Sequence, residues 1–311
     1  MWKLTIRPAL DNLQLESKRR NKPNIEDIRT KKIVMRKFFL HLLIILFIMA
    51  CHNKKEPSRP SSVQSNVSVL EKKFEMPGLD RDRQIRIYLP IDYQDSDQKY
   101  SVLYMHDGQN LFDDSTSYAS EWGVDESLNQ LVETSDFKLI VVGIDHGREK
   151  RISEMSPWKN KMFGKAEGQE YLEFIVYHIK PFIDSTYRTL PDRNNTAIMG
   201  SSMAGLISHY AIYRYPEVFG KAGIFSPSWY SDLVYDYTLN NPIPKDSRLF
   251  LLVGGREGDM NINASQKMYD HILESEHPKE NLKFIIDPNE DHNEVFWRKQ
   301  FVPAIRWLFS K

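Results

Sequence analysis

Residues 195–208 read N-T-A-I-M-G-S-S-M-A-G-L-I-S: a short apolar β-type run, two serines flanked by glycine, then helical spacing. A strand that turns sharply into a helix can be built in few ways. Gly200, two residues before Ser202, and the small residues after it permit the tightest of them. In that geometry the Ser202 hydroxyl stands clear at the apex of the turn and the amide after it is free. The same residue also suits a helix N-cap, where its hydroxyl would satisfy an orphan amide. The rest of the chain has to decide between nucleophile and cap.

Around this stretch, short apolar runs alternate with helical periodicity. Tyr100–Met105 and Lys138–Ile144 read as buried strands, and Thr196–Met199, Ala222–Phe225, Arg248–Val253 and Leu282–Ile286 as further strands. Val124–Glu133, Tyr171–Tyr187 with Pro181 inside or ending it, Met203–Arg214, Ala264–Glu274 and Glu294–Phe309 read as helices. Leu70–Met76 and Gln84–Leu89 read as a strand pair joined by the turn-prone Pro77-Gly78-Leu79-Asp80. The alternation predicts one α/β domain over 69–311, a mostly parallel sheet with helices on both faces. Functional residues then belong in the loops at the carboxyl ends of the strands.

A serine hydroxyl is a weak nucleophile until a base takes its proton, and the base needs an acid to fix its tautomer. Downstream of the Ser202 turn the chain supplies both in the order this turn type requires. The glycine-rich loop after Arg248–Val253 carries Glu257 and Asp259, with Glu257 the preferred acid. The loop after Leu282–Ile286 carries Asp287, Asp291 and His292, and His292 is the candidate base. The other late histidine, His277, lies among Glu and Lys and reads as a surface residue. An oxyanion needs two amides aimed at it. Met203 N–H follows the nucleophile directly, and Gln109 N–H lies in the loop after Tyr100–Met105, where Gly108 allows close approach.

With these residues in place, the chain resembles the putative esterase family of α/β-hydrolases, the group of enterochelin-esterase-like proteins, feruloyl and acetyl-xylan esterases, S-formylglutathione hydrolase and mycolyltransferases. The resemblance runs from Leu70 to Phe309 and rests on V-L-Y-M-H-D-G-Q-N-L-F-D (102–113), E-W-G-V-D-E (121–126), R-I-S-E-M-S-P-W (151–158), G-S-S-M-A-G-L (200–206) and D-H-N-E-V-F-W (291–297). Ala204 departs from the glycine usual in the family. The resemblance implies an eight-stranded hydrolase core, a Ser-Asp/Glu-His triad and no metal or other cofactor. Trp122, Trp158, Trp229 and Tyr230 fall in loops expected to rim the site; Trp122 and Trp229 are the candidate substrate contacts. Arg151 and Glu154 are expected to pair and hold their loop.

The amino-terminal part carries a different signal. From Met35 the sequence runs M-R-K, an apolar stretch of about twelve residues, then Ala50-Cys51; a bilayer-spanning helix needs about 20, so this reads as an export signal. Ile48-Met49-Ala50-Cys51 resembles a bacterial lipobox, and Cys51 is the only cysteine of the chain. The expectation is a lipoprotein, extracytoplasmic and held to a membrane through acylated Cys51. Residues 1–34 then form an upstream extension, 35–50 the signal and 51–68 a flexible tether rich in Ser, Pro, Asn and Lys.

The formal charge of zero conceals this division. Residues 1–34 hold nine Lys/Arg against four Asp/Glu, Arg36 and Lys37 add two more, and residues 51–311 carry an acidic excess of seven. An acidic globule without a basic stripe excludes nucleic acid as the expected partner. No H-E-x-x-H, C-x-x-C or phosphate-binding glycine loop is present; His106-Asp107 is the only local pairing that hints at a metal. The reading is a serine esterase for an acylated carbohydrate or feruloyl-type ester, with a siderophore ester second. An acyltransferase, or a non-catalytic glycan-binding lipoprotein on the same fold, is the alternative.

Overall fold

The computed structural model describes residues 59–159 and 164–310. The upstream extension, the signal, Cys51 and residues 51–58 lie outside them. The strands are β1 Val67–Val69, β2 Phe74–Met76, β3 Arg81–Arg83, β4 Ile85–Tyr88, β5 Ser101–His106, β6 Leu139–Ile144, β7 Thr196–Ser201, β8 Lys221–Phe225, β9 Arg248–Gly254 and β10 Leu282–Asp287. Eight of them form one sheet in the order β1-β4-β6-β5-β7-β8-β9-β10, and β2 pairs with β3 apart from it. β1 and β4 run antiparallel, and the six strands from β6 to β10 are parallel. This is the sheet of an α/β-hydrolase.

β5 to β9 are buried along almost their whole length because both faces are covered, while β10, at the edge of the sheet, is only partly buried. Alternate side chains of each strand enter opposite layers. Val102 and Tyr104 of β5 join Ile140, Ile198 and Leu249 in one core; Leu103 and Met105 join Val141, Met199 and Phe250 in the other. The helices are α1 Val124–Thr134, α2 (Gly168–Phe174, a π turn Ile175–Ile179, then Lys180–Thr186), α3 Met203–Arg214, α4 Leu233–Asn240, α5 Asp259–Glu274 and α6 Glu294–Phe309. Residues of α2, α3, α4 and α5 fill the first core, and those of α1 and α6 fill the second. α3 is buried from Met203 to Tyr213, as expected of a helix apolar all round.

Of four local expectations three are corrected, and one, the helix about Pro181, is met with the proline inside it. The turn at 77–80 joins β2 to β3, while β4 pairs with β1 and β6 in the main sheet; β1 is three residues long, too short for alternation to announce it. The helix 168–186 passes Pro181 through a π turn, which widens the ladder where an N–H is missing. His277 is buried, with Nε2 3.0 Å from the Ser247 carbonyl. The fourth concerns the tether, because residues 59–68 are tied down rather than free. Arg59 binds Asp114 Oδ1 at 3.0 Å, Gln64 N–H donates to Asp125 Oδ2 at 2.9 Å, and Asn66 Nδ2 donates to Asn129 Oδ1 at 3.0 Å. These bonds lie across the start of α1, so the segment 59–66 is a strap.

Candidate active site

β7 ends at Ser201 and α3 begins at Met203, so Ser202 alone makes the turn. Its backbone has φ 61° and ψ −123°, a strained region for a side-chain-bearing residue. The strain is held from several sides. Ser202 N–H donates to the Phe225 carbonyl at 2.9 Å, and its own carbonyl accepts from Leu206 and Ser228 N–H, both at 3.1 Å. Gly200 is required here because a Cβ on it would stand 2.6 Å from the Ala204 methyl. The methyl of Ala204 thus occupies the space that glycine leaves, and the departure from glycine at 204 is absorbed. The Ser202 side chain makes no capping bond; its Oγ lies 3.3 Å from Ser228 Oγ.

Two parallel strands away, the loops after β9 and β10 are knitted together. Gly255 N–H donates to the Asp287 carbonyl at 2.6 Å and Arg256 N–H to that of Glu290 at 3.0 Å. The pairing brings His292 Nδ1 to 2.8 Å from Glu257 Oε2. The Glu257 side chain is fully buried while that of His292 is 37% exposed, which suits an acid that holds a ring and a ring that meets a substrate. Glu257 Oε1 accepts from Gly254 N–H at 2.7 Å and from Ser226 Oγ at 2.5 Å. Burial pushes this carboxyl up, but the bonds from His292, Ser226 and Gly254 outweigh it and hold it below the usual Glu range. Asp259, the other candidate acid, is exposed at the start of α5.

Ser202 and His292 line one cavity of about 800 Å³, together with His106, Asp107, Asn110, Trp122 and Trp297. The loop after β5 forms one wall. Gly108 lies so close to Gly143 and Asp145 that a Cβ would meet the Asp145 carboxylate at 2.7 Å and the Gly143 carbonyl carbon at 2.9 Å. Asp107, at φ 58°, takes a bidentate bond from Arg151, 2.7 Å at each oxygen. Burial raises the Asp107 carboxyl and the Arg151 charge more than offsets it, so it stays ionised. Arg151 therefore pairs with Asp107 and not with Glu154, whose buried carboxylate binds Arg81 at 2.9 Å and Arg83 at 2.5 Å. His106 Nδ1 meets Tyr171 OH at 2.7 Å, and burial lowers His106 to about 4. Both members of the one local His-Asp pairing are thus committed to structural partners.

The expected amides are placed unevenly. Met203 N–H belongs to the first turn of α3, which offers it no intrahelical acceptor. Gln109 lines an adjoining cavity of about 500 Å³, and its Oε1 accepts from His146 N–H at 2.9 Å. Of the aromatic candidates, Trp122 lines the serine cavity and stacks on Phe225 at 5.4 Å. Trp229 is absent from that lining; it packs edge-on to His209 at 5.1 Å and donates to Ser265 Oγ at 3.2 Å. Trp158 packs against Tyr210 and Tyr237 in the first core.

Sequence reasoning missed Ser226 and Trp297. Ser226, at φ 42°, directly follows β8. It accepts from Trp297 Nε1 at 2.9 Å and donates to Glu257, and Trp297 stacks edge-on to the His292 ring at 5.1 Å. Their signal was position: Ser226 stands at the carboxyl end of a parallel strand.

The sequence model of the family described as Putative esterase matches residues 77–308. Uncharacterized protein YbbA of Bacillus subtilis (strain 168) is 26% identical over 244 residues, 74% of this chain and 93% of YbbA. An endo-1,4-beta-xylanase/feruloyl esterase of Xylanibacter ruminicola is 26% identical over 148 residues, 46% of this chain and 19% of that protein. The crystal structure of enterochelin esterase from Shigella flexneri superimposes with a TM-score of 0.65 at 17% identity, over 83% of this chain and 62% of that one.

Proposed function

The chain belongs to the putative esterase family and is by that membership an ester hydrolase; from this premise we propose that it cleaves carboxylic esters through an acyl-enzyme on Ser202. The observation that carries the reading is the 2.8 Å Glu257–His292 contact at a cavity shared with a serine whose φ is 61°. Ser202 Oγ turns from Ser228 to the imidazole, gives its proton to His292 Nε2 and attacks the ester carbonyl. Glu257 holds Nδ1–H and stabilises the imidazolium that forms. The oxyanion is met by Met203 N–H, with Gln109 N–H as the second donor. His292 then protonates the leaving alcohol, and water, deprotonated by His292, releases the acid.

The favoured substrate is an acylated carbohydrate or feruloyl-type ester. Trp122 and Trp297 give the cavity an aromatic wall suited to a sugar or aryl face, and the Xylanibacter relative carries feruloyl esterase in its name. A siderophore ester is the second reading, favoured by Arg148, which lines both this cavity and the adjoining one and suits an anionic substrate. We infer in addition that acylated Cys51 anchors the enzyme to a membrane on its extracytoplasmic side. Ser202→Ala tests the mechanism: it is expected to abolish p-nitrophenyl acetate hydrolysis and fluorophosphonate labelling with an unchanged melting curve. Retained turnover would refute the nucleophile. A screen of acetylated xylan, feruloylated arabinose and ferric siderophores then ranks the substrates.

A further inference from the structure

The motif E-W-G-V-D-E (121–126) contributes Trp122 to the serine cavity, but its three acids have no part in the chemistry above. One carboxylate oxygen from each of Glu121, Asp125 and Glu126 lies within 4.8 Å of the others. Glu121 is 6% exposed and Asp125 0%. Glu121 Oε2, Asp125 Oδ1 and Glu126 Oε2 are all buried without a hydrogen-bond partner. For Asp125 this leaves Oδ2 bonded to the Gln64 amide and Oδ1 wholly out of water without a partner, on a carboxylate that contributes an oxygen to the cluster.

Buried like charges at such spacing are costly unless one is neutralised or a cation joins them. The surroundings do not balance them. Arg298 is the nearby cation, and it spends Nε and Nη2 on the Glu121 carbonyl. The positive end of α1 contributes about half a charge. With all three carboxylates ionised, one guanidinium leaves two negative charges unbalanced.

We propose that Glu121, Asp125 and Glu126 form a site for one divalent cation of the hard, oxygen-seeking kind, Ca²⁺. All three donors are carboxylates, with no imidazole or thiolate to favour a softer metal. Ligands 2.3–2.6 Å from a common Ca²⁺ stand no more than about 5 Å apart, which the 4.8 Å limit satisfies. A divalent ion also cancels the residual charge. Asp125 is bonded to Gln64 of the strap, so the ion would fasten the strap to the start of α1 and to the loop that carries Trp122. Its role is structural, since no group at the site faces the reacting ester.

The test uses the full chain, stripped with chelator and desalted. Tb³⁺, a luminescent Ca²⁺ substitute, is expected to bind saturably at one site, to be excited through the adjacent Trp122, and to be displaced by Ca²⁺. At a hundred times Kd, Ca²⁺ should multiply the folded-to-unfolded ratio about a hundredfold. Asp125→Asn and Glu121→Gln should each weaken Tb³⁺ and Ca²⁺ binding at least tenfold. Both substitutions relieve buried repulsion, so the metal-free variants should melt at or above metal-free wild type, which separates lost binding from failed folding. The proposal is overturned if Ca²⁺ and Tb³⁺ do not bind saturably up to about 10 mM, above the weak-site range, or if both variants bind as wild type does.

Discussion

Glu257 has no exposed side-chain surface and makes every contact that fixes its charge: His292 on one oxygen, Ser226 and the Gly254 amide on the other. Replacing it by Gln keeps the shape but removes the charge that, in the proposed mechanism, stabilises the imidazolium. Glu257→Gln is expected to lower kcat about 10³–10⁴-fold, by analogy with loss of the triad acid elsewhere, measured with p-nitrophenyl acetate. A second consequence follows from its folded-state pKa, which lies below the ordinary value of 4.5. A depressed carboxylate stabilises the fold fully above its unfolded pKa, and that contribution is lost as pH falls through the folded value. Melting temperature should therefore fall more steeply below pH 4.5 in wild type than in Glu257→Gln. Parallel curves would show that the carboxylate contributes nothing to acid stability.

The turn from β7 into α3 is an element whose geometry depends on a missing side chain. A Cβ at Gly200 would stand 2.6 Å from the Ala204 methyl and 3.0 Å from the Ala204 backbone, so the helix would have to move away from the strand. Gly200→Ala is expected to cost about 1–3 kcal/mol, the usual range for overpacking, and to lower kcat because the Ser202 Oγ moves with the turn. Ala204→Gly alone should cost about 1 kcal/mol of helix propensity. Combined with Gly200→Ala it removes the methyl contact but not the backbone one, so denaturant titration should find partial recovery. Full additivity of the two costs would mean that the two positions do not share this space.

At the scale of the whole molecule, the sheet is sealed by two cores, and α6 closes the one behind the His292 loop. Phe301 is completely buried there. Phe301→Ala should cost about 3–5 kcal/mol and lower the melting temperature by about 10 °C, with kcat per folded molecule unchanged because the loops after β9 and β10 stay tied to each other. Anchoring through Cys51 makes a separate prediction: Cys51→Ser should move the protein from the membrane fraction to the soluble one while specific activity stays the same. Wild-type protein found in the soluble fraction of its host would remove the anchor.

The alternation of strands and helices, the end points of α3 and α6, and the order of the candidate serine, acid and histidine are all legible in the residue string. These are carried by periodicity and by spacing within a few residues, which the backbone reads locally. It took the folded chain to put Glu257 rather than Asp259 against His292, because both stand in one loop and only Glu257 is buried against Ser226 and His292. The fold alone paired Arg151 with Asp107, made a strap of 59–66, and set Asp125, beside Glu121 and Glu126, against Gln64 of that strap. Such partners lie tens of residues apart, and side-chain charge carries no record of which distant loop the fold will bring to it.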